Sequence, residues 1–184
     1  PVKAIKKEKE KEEKKFANRI LFGGGFGLGI GTVTNISVSP VVGYAITDKL
    51  YAGIGMGYQY LRIKDYWEVQ DPVSLEWFTK PRTANIFSPN VWARYIVWRN
   101  FFVHAEYEHN FFTDKRYFTN GTTMRIESET RKFNVGSLLL GAGIRMPVSD
   151  RVSFVLMGLY DVLQNPGNPY GHSLNIRFGI NAGF

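Results

Sequence analysis

Between Ile20 and Gly31, large and small residues swap places. Ile20, Phe22, Phe26, Leu28 and Ile30 interleave with Gly23, Gly25, Gly27, Gly29 and Gly31. A period of two belongs to a β-strand, whose successive side chains point to opposite sides. The surrounding stretch, from Arg19 to Asp48, has 28 consecutive uncharged residues, long enough to raise the question of a membrane-spanning helix. Its seven glycines (23, 24, 25, 27, 29, 31 and 43) and Pro40 answer against one. Each glycine costs up to ~1 kcal/mol in a helix and a proline ~3.

The alternation recurs. Ile36, Val38, Pro40, Val42, Tyr44 and Ile46 oppose smaller neighbours, as do Ala52, Ile54, Met56, Tyr58 and Tyr60. Near the C-terminus His172, Leu174, Ile176, Phe178 and Ile180 face away from Ser173, Asn175, Arg177, Gly179 and Asn181. Eight such segments can be drawn, at 19–31, 35–46, 50–63, 86–98, 101–112, 133–146, 152–163 and 172–184. No helical period of comparable length appears, so the chain is predicted to be all-β.

Residue size then decides which face meets what. Packed inside an eight-stranded barrel, the bulky faces would overfill an interior that only just holds side chains. Turned outward toward lipid, they leave glycine, serine, asparagine and isolated charges for the lumen, as in a transmembrane barrel. Mid-strand charges obey the same rule. Arg94 shares a face with Ser88, Asn90 and Trp92; Glu106 and Glu108 with His104 and Asn110; Arg145 with Gly141 and Gly143; Arg177 with Asn175 and Asn181. Arg62 and Arg99 break it only at strand ends, where they can reach headgroups or water. The expected architecture is an eight-stranded antiparallel up-and-down transmembrane β-barrel.

Connection lengths agree. Short links at 47–49, 99–100 and 147–151 alternate with longer ones at 64–84, 113–132 and 164–171, the link at 32–34 being the short exception. Short periplasmic turns and longer extracellular loops are usual in outer-membrane barrels. Eight strands then put both termini in the periplasm. There lies a charged tail, residues 1–15, with seven lysines and four glutamates. Such a segment has nothing to bury and reads as a solvated tail or short exposed helix. The barrel is assigned to 16–184. Tyr44, Trp98 and Phe101 should mark one interfacial girdle, and Tyr58, Tyr60 and Phe111 the other. The terminal Phe184 closes the last alternating strand, like the signal read by barrel-assembly machinery.

The stretches SVSPVVGYAITDKLYAGIGMGYQY (37–60), VWARYIVWRNFFVHAEYE (91–108) and SLLLGAGIRMPVSDRVSFVLMGLYDVL (137–163) resemble small outer-membrane barrels of Bacteroidota, grouped loosely with OmpA- and OmpX-type barrels. The likeness covers about 16–184. It implies the fold and an outer-membrane location, and no activity, because that group mostly lacks an assigned function. There is no room for the periplasmic peptidoglycan-binding domain of full OmpA proteins.

Candidate chemistry is sparse. With no cysteine, disulfides, thiolate metal sites and thiol nucleophiles are excluded. The net charge of +7 falls to +4 once the tail's +3 is set aside, which argues against a nucleic-acid partner. His104, Glu106 and Glu108 fall on one lumen face at about 7 Å intervals. They suit a metal site or a proton relay, but buried charges need partners and Arg94, Arg145 and Arg177 are available. A lumen ion network plugging the barrel is expected, with no metal and no cofactor. Arg19, and Asp161 opposing it, are lesser candidates for the same network. The glycine runs lack the spacing and the following helix of a phosphate-binding loop. The rim histidines His109 and His172 have Asn110 and Ser173 as strand neighbours, which point the opposite way, so no enzyme is expected. The two long loops are the best contact sites, carrying Tyr66, Trp67, Trp77 and Phe78, and Tyr117 and Phe118. The reading is a non-enzymatic outer-membrane barrel, a structural element or accessory subunit of a larger complex. The alternative is a narrow channel or small-ligand-binding barrel. Partners are outer-membrane lipid and, for a subunit, other outer-membrane proteins.

Overall fold

The structure, a computed structural model, describes residues 19–183. The expectations for the tail at 1–15 and for Phe184 lie outside the described residues. Eight strands follow in chain order: β1 Ile20–Gly29, β2 Val33–Ala45, β3 Leu50–Gln70, β4 Trp77–Trp98, β5 Phe101–Asn120, β6 Arg125–Pro147, β7 Val152–Asp161 and β8 Asn175–Ala182. Each pairs antiparallel with its sequence neighbours, and β8 returns to β1, closing an up-and-down barrel. Closure matters physically because it pairs the first strand with the last and removes most of the open sheet edge.

The register fixes the stagger. Following paired residues around the ring leads from Pro147 through Ser153, Asn181, Gly23, Val41, Gly55, Asn90 and Glu108 to Ser137. The path thus comes back to β6 ten residues from where it began. That shear tilts the strands and sets the width of the interior.

The period-two faces sort as the side-chain sizes require. Phe22, Phe26, Ile54, Val91, Val103 and Phe178 stand exposed on the outer wall. Leu21, Tyr51 and Trp92 pack together inside, with Val41, Ala45 and Ile96 against them, near the short-turn end. A second interior cluster, Ile86, Phe112 and Val135, lies toward the other end. Glycine makes the first cluster possible. A Cβ at Gly43 would sit 2.6 Å from the Trp92 ring, and one at Gly53 2.7 Å from it.

Two strand pairs are longer than the alternation indicates. The segments 64–84 and 113–132, expected as loops, are mostly ladder: β3 runs to Gln70, β4 starts at Trp77, β5 runs to Asn120 and β6 starts at Arg125. Only 71–76 and 121–124 turn. Asp71 Oδ1 accepts the N–H groups of Val73 and Ser74, and Asn120 Oδ1 those of Thr122 and Thr123. These hairpins rise past the barrel wall, where bulky and polar residues share both faces, so the apolar/small alternation disappears although the backbone pairing continues. A register shift between Ile63 and Trp67, with Asp65 at φ 50°, marks a bulge where β3 leaves the barrel wall. β8 starts at Asn175, three residues after the expected 172, so His172 and Ser173 belong to the preceding loop.

Candidate functional site

The lumen carries ionisable side chains on five strands, β4 to β8. β5 presents His104, Glu106 and Glu108 on its inner face, all buried, and β8 sends Arg177 across from the opposite wall. Arg177 Nη1 donates to Glu106 Oε1 at 2.9 Å and Nη2 to Glu108 Oε2 at 3.2 Å. Its Nε donates to Asn175 Oδ1 at 3.2 Å. His104 Nε2 lies 3.0 Å from Glu106 Oε2, with the ring stacked on Trp92. A single fork-shaped cation serving two carboxylates suits the directional pairing of arginine. In a dry interior such charges persist only when paired in this way.

Toward the hairpin end the network turns neutral. Asn110 Nδ2 donates to Glu108 Oε1 at 3.2 Å, and Ser88 Oγ donates to Asn110 Oδ1 at 2.6 Å. Tyr170 completes it. From the β7–β8 loop, its hydroxyl donates to Glu108 Oε1 and accepts from Arg177 Nη2 at 3.0 Å. The sequence reading missed this residue. Its signal was slight, a lone aromatic among Asn165, Pro166, Gly167, Asn168 and Pro169 in a loop that reads only as turns.

Of the remaining network candidates, Arg94 and Arg145 are brought to the lumen but not to the glutamates. Neither has a carboxylate oxygen within 4.0 Å among the described residues. Arg94 instead lies over the rings of Phe102 (4.3 Å) and Trp92 (5.4 Å). With the Asn181 amide turned to its satisfying orientation, Arg94 Nη1 also donates to Asn181 at 2.9 Å. The Nε atoms of both arginines, and His104 Nδ1, are buried without a partner. Asp161 is fully buried but caps backbone, its Oδ1 accepting the N–H groups of Leu138 and Leu163. Arg19 is exposed at the short-turn end.

The polar layer borders a cavity of about 350 Å³, reached by Gly25, Gly27, Ser37, Ser39, Arg94 and Arg177. Among the described residues no three His, Asp or Glu side chains gather as a metal-binding group. His109 Nε2 lies 3.1 Å from Asn134 Oδ1.

The aromatic candidates sit on the raised hairpins, on strands and not in loops. Tyr66 and Trp67 meet edge to face at 4.9 Å, with Arg82 over Tyr66 and Arg116 over Trp67. Trp77 and Phe78 are exposed at the start of β4, Trp77 by 68%. Phe118 is exposed on β5, and Tyr117 beside it carries Lys115 over its ring. The Arg116–Trp67 contact, the Arg82–Asp114 pair at 2.9 Å, and Thr119 Oγ1 donating to Gln70 O at 2.6 Å tie the hairpins into one platform.

No family model and no curated protein matches the sequence. A solved structure described as "De novo design of transmembrane beta-barrels" is similar over 90% of this chain and 94% of its own, at 13% sequence identity and a TM-score of 0.40.

Proposed function

We propose that the chain is a non-enzymatic outer-membrane β-barrel with a plugged lumen, acting as a structural element or accessory subunit of a larger outer-membrane assembly. The observation that carries the membrane reading is the inside-out distribution of side chains: phenylalanine, isoleucine and valine cover the outer wall, and the charged groups face in. Water would reject such a wall, since soluble monomers rarely expose apolar patches beyond a few hundred Å². The plug is supported by the Arg177–Glu106–Glu108–Tyr170 layer and by the Leu21–Tyr51–Trp92 cluster nearer the short turns. The contact surface is the hairpin platform, where exposed aromatics stand beside cations. In this arrangement the short turns and both termini face the periplasm.

Flotation with outer-membrane vesicles and heat-modifiable gel mobility test the barrel reading. Co-purification from native membranes at low detergent tests the subunit role, which a strictly monomeric elution would contradict. A second reading, a narrow channel or small-ligand barrel, is favoured by the 350 Å³ cavity. Planar-bilayer recording separates the two, and the plugged reading predicts no discrete conductance steps.

A further inference from the structure

The shortest run of pairing in the ring is the one that closes it. β1 and β8 pair from Phe22–Ala182 to Gly25–Gly179 and no further. Yet β1 continues to Gly29, paired with β2, and β8 begins at Asn175, paired with β7. Continuing the register would put Phe26 opposite Phe178 and Leu28 opposite Ile176, but those rungs are missing. Side-chain space opens there as well. A Cβ built on Gly25 would approach Phe178 O at 3.0 Å, whereas one on Gly27 meets only Ser37 within 4 Å. The lumen cavity reaches this seam, for Phe26, Ile176 and Phe178 line it although their side chains belong to the outer wall. Deeper in, the same cavity is lined by Arg94, a cation without a carboxylate partner and with a buried, unsatisfied Nε. Glu106 lies near enough to attract it, without an ion pair, and Arg145 near enough to repel it.

We propose that the seam between β1 and β8 admits a long-chain carboxylate from the membrane, its headgroup held by Arg94 and its chain lying along Gly25 and Gly27 to the opening between Phe26 and Phe178. The assignment rests on the membrane reading given above and adds a ligand and a route to it. Each feature selects one part of the ligand. A volume of about 350 Å³ is at the lower end for small-ligand sites and takes one chain, not a lipid with several. A buried guanidinium whose Nη1 is held by Asn181 and whose Nε is unsatisfied favours a singly charged oxygen acid, which accepts from its unused donors.

The test uses full-length protein carrying Trp67→Phe, Trp77→Phe and Trp98→Phe, so that Trp92 is the only fluorophore of its kind, in phosphatidylcholine nanodiscs at pH 8. Stearate with a nitroxide at carbon 5 should quench Trp92 saturably, and phosphatidylcholine with the same label should not. Arg94→Gln should raise the half-saturating concentration at least tenfold. The protein has no cysteine of its own, so Phe26→Cys with Phe178→Cys can staple the seam. Oxidation should abolish quenching and reduction restore it. Gly27→Ile with Ser37→Ala fills the inner mouth and should abolish it without a cross-link. Quenching that never saturates, that is equal for both labelled lipids, or that ignores Arg94→Gln overturns the ligand. Quenching that survives both blocked seams overturns the route. Flotation is measured first on each variant: unmodified protein that does not float with the lipid overturns the membrane reading itself.

Discussion

At the scale of single residues, the lumen depends on one cation and on glycine under a tryptophan ring. Arg177 is the cation that pairs with both Glu106 and Glu108 inside the wall. Arg177→Met should therefore cost about 3–5 kcal/mol, because it leaves two buried acidic groups without the arginine they share. Adding Glu106→Gln and Glu108→Gln should recover most of that loss. Urea titration of the protein folded into vesicles measures both. Gly43 offers a different test. A β-branched side chain there strikes the Trp92 ring, so Gly43→Val should cost about 1–3 kcal/mol in the same titration. Gly29→Ala, whose Cβ comes no nearer than 3.8 Å to a neighbour, should change stability by less than about 0.5 kcal/mol. The lumen faces of Arg94, His104, Glu106, Glu108, Arg145 and Arg177 were legible in the sequence, because a period of two assigns every residue of a strand to a side. Which arginine meets which glutamate was not. That depends on the stagger of the ring and on a tyrosine delivered by a loop, neither of which leaves a local pattern.

At the scale of elements, the strands divide into walled and raised portions. Inside the wall, size alternation marks each strand, and all eight were found from it. Above the wall, the selection behind that alternation is gone, and β3 to β6 looked like loops there. Turn chemistry carried the missing information, since Asp71 and Asn120 each cap a tight reversal with side-chain oxygens. The β5–β6 tip is also acid-sensitive. The Thr123 hydroxyl (2.6 Å) and the Asn120 amide (3.0 Å) hold the Glu127 carboxyl below its ordinary value of about 4.5. A depressed folded-state pKa means the contribution is fully present above about pH 4.5 and fades as pH falls through the lower folded value. Amide exchange at 121–124 should accelerate in that window relative to its intrinsic acid dependence. Glu127→Gln should flatten the response, and an unchanged response in that variant would assign it to another group.

At the scale of the whole molecule, two facts make a membrane the fitting solvent. The ring closes with a ten-residue stagger, so its backbone groups are paired along most of the wall, and its outer face is apolar around the circumference. The described residues contain no helix long and apolar enough to cross a bilayer. The most direct measurement is a nitroxide scan of β2, with single cysteines introduced from Val33 to Ala45 in the refolded protein in vesicles. The membrane account predicts that Ile36, Val38, Val42 and Tyr44 give labels relaxed by dissolved oxygen and shielded from a water-soluble nickel chelate, while Ser37, Ser39 and Val41 do not prefer oxygen. Equal or greater nickel accessibility along the outward positions would place that face in water and contradict the account.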